Sequence, residues 1–88
     1  MNEPDDATAR WQEAQVLDLT GLKCPMPSLM TAKKLRSLPE GSWLAVTVTD
    51  PLAPLDLHHL CQQDGHVVLS ERKNENGAQL LIRNGPRS

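Results

Sequence analysis

Apolar and polar side chains alternate through Val16-Leu17-Asp18-Leu19-Thr20, with Leu17 and Leu19 on one face and Asp18 and Thr20 on the other, which is the pattern of a half-buried strand. The period then lengthens. Met26, Leu29, Ala32, Leu35 and Leu38 recur at every third position and predict a helix from about Pro25 to Ser37 with those residues inward, ended by Leu38-Pro39-Glu40-Gly41. A three-residue step drifts around a helix of about 3.6 residues per turn, so this stripe is less sharply defined than the strand patterns. Strict alternation returns from Trp43 to Asp50, with Leu44, Val46 and Val48 on one side and Ala45, Thr47 and Thr49 on the other. After Asp50-Pro51 a second helix is expected to start near Pro54, to bury Leu57, Leu60 and Cys61, and to stop at Gly65. His66 to Arg72 reads as a third strand, Asn74-Glu75-Asn76-Gly77 as a turn, and Ala78 to Arg83 as a fourth strand with Leu80 and Ile82 aligned.

The order strand, helix, strand, helix, strand, strand predicts an α+β fold. Several strands have only one consistently apolar face, so one helical layer suffices and both helices belong on the same side of the sheet, in a two-layer α/β sandwich with right-handed crossovers. The folded domain is expected over residues 16–83. Residues 1–15 read as a flexible, polar N-terminal tail whose one large apolar side chain, Trp11, can dock on the domain, and residues 84–88 as a frayed C-terminus.

Composition narrows the function. Eighty-eight residues, 39% of them hydrophobic, suit one small domain, and with neither Phe nor Tyr the core must come from Leu, Val, Ile, Ala and Met. A formal net charge of −2 gives no general attraction to nucleic acid or to an anionic membrane. The first fifteen residues hold no apolar run of the kind a signal peptide needs, and no window approaches a membrane span, so a cytoplasmic location is expected. In that reducing compartment Cys24 and Cys61 are expected as free thiols, too far apart in the chain for a Cys-x-x-Cys pair or a zinc knuckle.

Cys24 carries the candidate chemistry. It stands in Gly21-Leu22-Lys23-Cys24-Pro25-Met26-Pro27, where a strand hands over to a helix started by proline. The unpaired N–H groups of a helix start favour a thiolate, and Lys23 adds a positive charge, although Pro25 and Pro27 remove two of those donors and leave the Met26 and Ser28 amides. A thiol pKa below the usual value of about 8.5 is expected. Lys23, Pro25, Met26 and Pro27 then set the local environment and the contact surface. Cys61, on the apolar stripe with Leu57 and Leu60, reads as an inert core thiol. His58, His59, Cys61 and His66 are of metal-ligating type, but adjacent helical histidines point about 100° apart and cannot readily share one ion with a buried thiol, so no metal is expected. Lys23, Lys33, Lys34 and Arg36 form either a docking surface for acidic partners beside Cys24 or an ordinary solvated helix face. Asp50-Pro51 and Asp56 most simply end a strand and cap or charge the start of the second helix.

Together these residues resemble the TusA/SirA family of small sulfur-carrier proteins over nearly all of residues 16–83. The pattern comprises Leu17-Asp18, Gly21-Leu22-x-Cys24-Pro25-x-Pro27, Lys33 or Lys34 with Leu35, Gly41, Asp50-Pro51, Asp56-Leu57, Cys61, Gly65-His66 and Leu81-Ile82-Arg83. The resemblance implies a four-stranded mixed sheet with the fourth strand antiparallel to the others and two helices on one face. It also implies that Cys24 accepts sulfane sulfur from a cysteine desulfurase or a rhodanese-like donor, holds it as a persulfide, and relays it to an acceptor protein. The family's destinations include tRNA thiolation, molybdenum cofactor pathways and sulfur metabolism. Met26 stands between the prolines where some tRNA-pathway members carry an acidic residue. The covalent sulfur is the only non-protein group implied; no other cofactor, no membrane and no direct nucleic acid are expected. A relay component is the reading, more than a stand-alone turnover enzyme. Its rivals are a regulatory or RNA-binding module of the same fold, which would have no use for Cys24, and a thiol peroxidase or redox sensor, which would want a resolving cysteine nearby.

Overall fold

The computed structural model describes residues 6–86. Four strands form one mixed sheet in the order β1-β2-β4-β3, where β1 is Gln15–Leu19, β2 Trp43–Val48, β3 Val67–Asn74 and β4 Gly77–Arg83. β1 runs parallel to β2, and β4 lies antiparallel between β2 and β3. The helices are α1 (Asp6–Glu13), α2 (Met26–Ser37) and α3 (Ala53–Asp64). None among the described residues is long and apolar enough to cross a membrane.

The β2 alternation decides the layers. Leu44, Val46 and Val48 face the same side as Leu80 and Ile82, their neighbours on β4, and all five are almost fully buried. α2 and α3 lie side by side over this face and add Leu35, Leu57 and Cys61 to the same cluster. Burial of each such leucine contributes about 1.5–3 kcal/mol, so this layer carries most of the fold's stability. α3 stops where the sequence places its end: Gly65 takes a left-handed φ of 82°, and its N–H and that of His66 both bond to the Cys61 carbonyl.

Three expectations need correction. Residues 1–15 were expected to be tail, but residues 6–13 form α1, on the other side of the sheet; residues 1–5 lie outside the described residues. An eight-residue helix has little stability of its own. Tertiary contacts hold it: the Arg72 guanidinium stacks 4.2 Å from the Trp11 ring, and that of Arg10 sits 5.5 Å from Trp43. Leu81 and Ala45, on the face opposite the main core, are buried with it.

The second correction is the phase of α2. Its buried residues are Pro27, Thr31 and Leu35, four apart, while Met26 and Leu29 are 42% and 57% exposed. A buried threonine hid the true stripe from a reading that counts apolar positions.

The third is the C-terminus. Residues 84–88 were expected to fray, yet Asn84 is buried, and its side-chain amide donates to the carbonyls of Leu35, Leu38 and Pro39. It thereby adds a side-chain donor to the carbonyls at the end of α2, where the helix itself supplies few. Residues 87–88 lie outside the described residues.

Candidate functional site

The site begins where β1 ends. Asp18 accepts hydrogen bonds from the Thr20 N–H and hydroxyl, which hold its carboxyl below the usual range, hydroxyl first. The next residue, Gly21, takes a left-handed φ of 83° that a side chain would resist, and its N–H donates to the Thr49 hydroxyl at the end of β2. The chain is thus turned toward Lys23 and Cys24.

The Met26 N–H donates to the Lys23 carbonyl at 2.8 Å, closing a turn around Cys24-Pro25, whose peptide bond is cis. Pro25 was expected as the first helical residue; it is the residue before it, and α2 opens at Met26. Pro27 sits buried in the first turn and anchors the helix start. Cys24 itself is exposed, and both cysteines are free.

Two aspartates converge on Cys24. The Cys24 N–H donates to Asp50 Oδ2 at 2.6 Å, while Asp50 Oδ1 accepts from the Leu52 N–H at 3.0 Å. The Cys24 thiol donates to Asp56 Oδ2 at 3.0 Å. Asp50 is held below the usual carboxylate range, first by the Leu52 N–H, then by that of Cys24, with Lys23 assisting. Cys24 is moved the other way. Its bond to Asp56 raises the thiol pKa first, partial desolvation next, and the charges of Asp56 and Asp50 after that.

The expectation of a lowered thiol pKa is therefore overturned. Pro25 and Pro27 offer no N–H, the Met26 N–H is spent on Lys23, Asp56 of α3 accepts from the thiol, and Asp50, just before α3, adds its charge beside the Cys24 N–H. A weakened helix end loses to nearby anions. Asp50 and Asp56 were read from sequence as residues that end a strand and cap or charge a helix start, with no part in the chemistry of Cys24. Their helix-start positions account for both equally well without a thiol nearby, and only the packing of α3 beside α2 brings them to it.

The remaining candidates separate. Cys61 is buried in the core, where burial pushes its thiol up to about 11. His58 Nε2 pairs with Glu71 at 2.7 Å, and His66 Nδ1 accepts the Gly85 N–H. Of the four cations read as either a docking surface beside Cys24 or a solvated helix face, only Lys23 is in its loop; Lys34 and Arg36 lie in the last turn of α2, and at about 1.5 Å per residue the length of the helix keeps them away. Exposed apolar side chains share the two helix starts. Met26, Leu29 and Met30 stand exposed on the first turns of α2, and Leu52 and Leu55, 61% and 57% exposed, flank Asp56 at the start of α3.

The sequence profile described as Sulfurtransferase TusA matches residues 15–84. The chain belongs to the TusA family. A protein of Neisseria meningitidis is 39% identical over 69 residues, covering 78% of this chain and 93% of its own length. The sulfur carrier protein TusA of Pseudomonas syringae pv. tomato is 41% identical over 68 residues, or 77% of this chain and 81% of that protein. Among solved structures, the crystal structure of the SirA-like protein from Desulfitobacterium hafniense superposes with a TM-score of 0.70 at 25% identity, covering 81% of this chain and 97% of the other. The family match thus spans the whole sheet and both core helices, and leaves α1 outside.

Proposed function

We propose that this chain is a sulfur carrier that holds sulfane sulfur as a persulfide on Cys24 and passes it between proteins. The observation that carries the reading is an exposed, free cysteine on a turn stiffened by two prolines, in a domain of the TusA family. A carried sulfur must be reachable by a donor and then by an acceptor, which an exposed thiol allows and a buried one forbids. Stiffness helps as well, because a sulfur fixed in one place needs less ordering when a partner docks. The exposed Met26, Leu29, Met30, Leu52 and Leu55 offer apolar area for such contact. Its donor is a cysteine desulfurase or a rhodanese-like protein and its acceptor another protein of a sulfur pathway, in the cytoplasm, where both thiols stay reduced.

Transfer is a thiol exchange in which Cys24 attacks the terminal sulfur of the donor persulfide and the donor cysteine departs. The test is intact mass after incubation with a cysteine desulfurase and cysteine, with and without dithiothreitol. Wild type and Cys61→Ser are expected to gain one reductant-sensitive sulfur, and Cys24→Ser none. Loading retained in Cys24→Ser would remove Cys24 from the role.

A further inference from the structure

Asp56 is the fourth residue of α3, and the start of that helix has no side-chain cap. Capping therefore does not account for its orientation. Asp56 is partly exposed, and its Oδ2 accepts a hydrogen bond from the Cys24 thiol at 3.0 Å. The other charged groups facing the thiol are Asp50, which is occupied with the Cys24 and Leu52 amides, and Lys23 on the same loop. The first turn of α2 brings no charged side chain. Asp56 is thus, among the described residues, the one carboxylate placed to exchange a proton with the sulfur.

We propose that Asp56 is the proton acceptor for Cys24, holding the resting sulfur as a thiol and taking its proton as Sγ bonds to the incoming sulfur. This rests on the persulfide-carrier reading. In the step, an electron pair on Sγ attacks the terminal sulfur of the donor persulfide, the Sγ–S bond forms as the donor's S–S bond breaks, and the donor cysteine leaves with that bond's electron pair. The thiol proton moves to Asp56 Oδ2 and from there to the departing donor thiolate or to water. The transferred sulfur keeps its oxidation level, so no oxidant or reductant is required. A thiol whose pKa is raised carries little thiolate at neutral pH; a carboxylate in contact lets it react without a separate ionisation.

The experiment compares wild type, Asp56→Asn and Asp56→Glu in a Cys61→Ser background. Glutathione persulfide is the donor, and sulfur uptake is followed by quenched-flow mass spectrometry from roughly pH 5.5 to 8.5, with thiolate absorbance recorded in parallel. Taking the rate ratio to wild type at each pH cancels the donor's own titration. In Asp56→Asn the thiolate is expected to appear at lower pH than in wild type. Even so, uptake is expected to be slower at acidic pH, the deficit growing about tenfold per pH unit below the variant's own titration midpoint. Asp56→Glu should recover part of the rate. A ratio that stays constant with pH would overturn the assignment to Asp56 while leaving the carrier reading in place. Absence of uptake by wild type itself would overturn the carrier reading, and this proposal with it.

Discussion

Asp50 spends both carboxylate oxygens on backbone amides, tying the Cys24 loop to the start of α3, and this has a consequence for stability against pH. Its folded pKa lies below its unfolded value, so the ionised form favours the folded state. That contribution is fully present above the ordinary aspartate range near about 3.9 and is lost as pH falls through the lowered folded value. Asp50→Asn, which replaces one acceptor by a donor, is expected to unfold at lower urea than wild type at neutral pH, and the gap should close in acid. A gap independent of pH would assign the effect to shape alone. At this scale the sequence named the candidate sulfur but not the carboxylates beside it. Cys24 is legible because proline, cysteine and proline are neighbours in the chain, while Asp56 reaches the sulfur only across the packing of two helices.

The helices show how far periodicity reaches. α3 follows its pattern, with Leu57 and Cys61 inward and a glycine stop, since its apolar spacing agrees with the geometry of one turn. α2 does not, because Pro27 and Thr31 take inward positions and leave Met26 and Leu29 outside. The two phases make different forecasts for single truncations. Leu35→Ala, at a position with no exposure, is expected to cost about 2–5 kcal/mol in urea unfolding, whereas Leu29→Ala should stay within about 0.5 kcal/mol. Equal losses at both positions would favour the three-residue stripe. The apolar residues that the helix leaves exposed lie near Cys24, where a carrier meets its partners, so the irregular pattern follows from two demands on one helix.

For the whole molecule, the sheet keeps two separate tasks apart. α2 and α3 build the core and the sulfur site on one face, while α1 closes part of the other over Leu81 and Ala45. Deleting residues 1–14 is expected to lower the thermal midpoint by exposing that second patch while leaving sulfur uptake on Cys24 intact; lost uptake in a still-folded variant would link the faces. The sequence by itself determined the strands, the core helices and their order, because alternation and turn residues are local properties of the chain. It also determined the family and the candidate sulfur atom, which rest on residues close together in sequence or at fixed spacing. Tertiary structure alone decided the rest: that α1 forms, that Asn84 closes the end of α2, and that Asp56 accepts a hydrogen bond from the Cys24 thiol and raises its pKa. Each depends on groups brought together across the fold, whose hydrogen bonds and charges act over a few ångströms of space and leave no period in the chain.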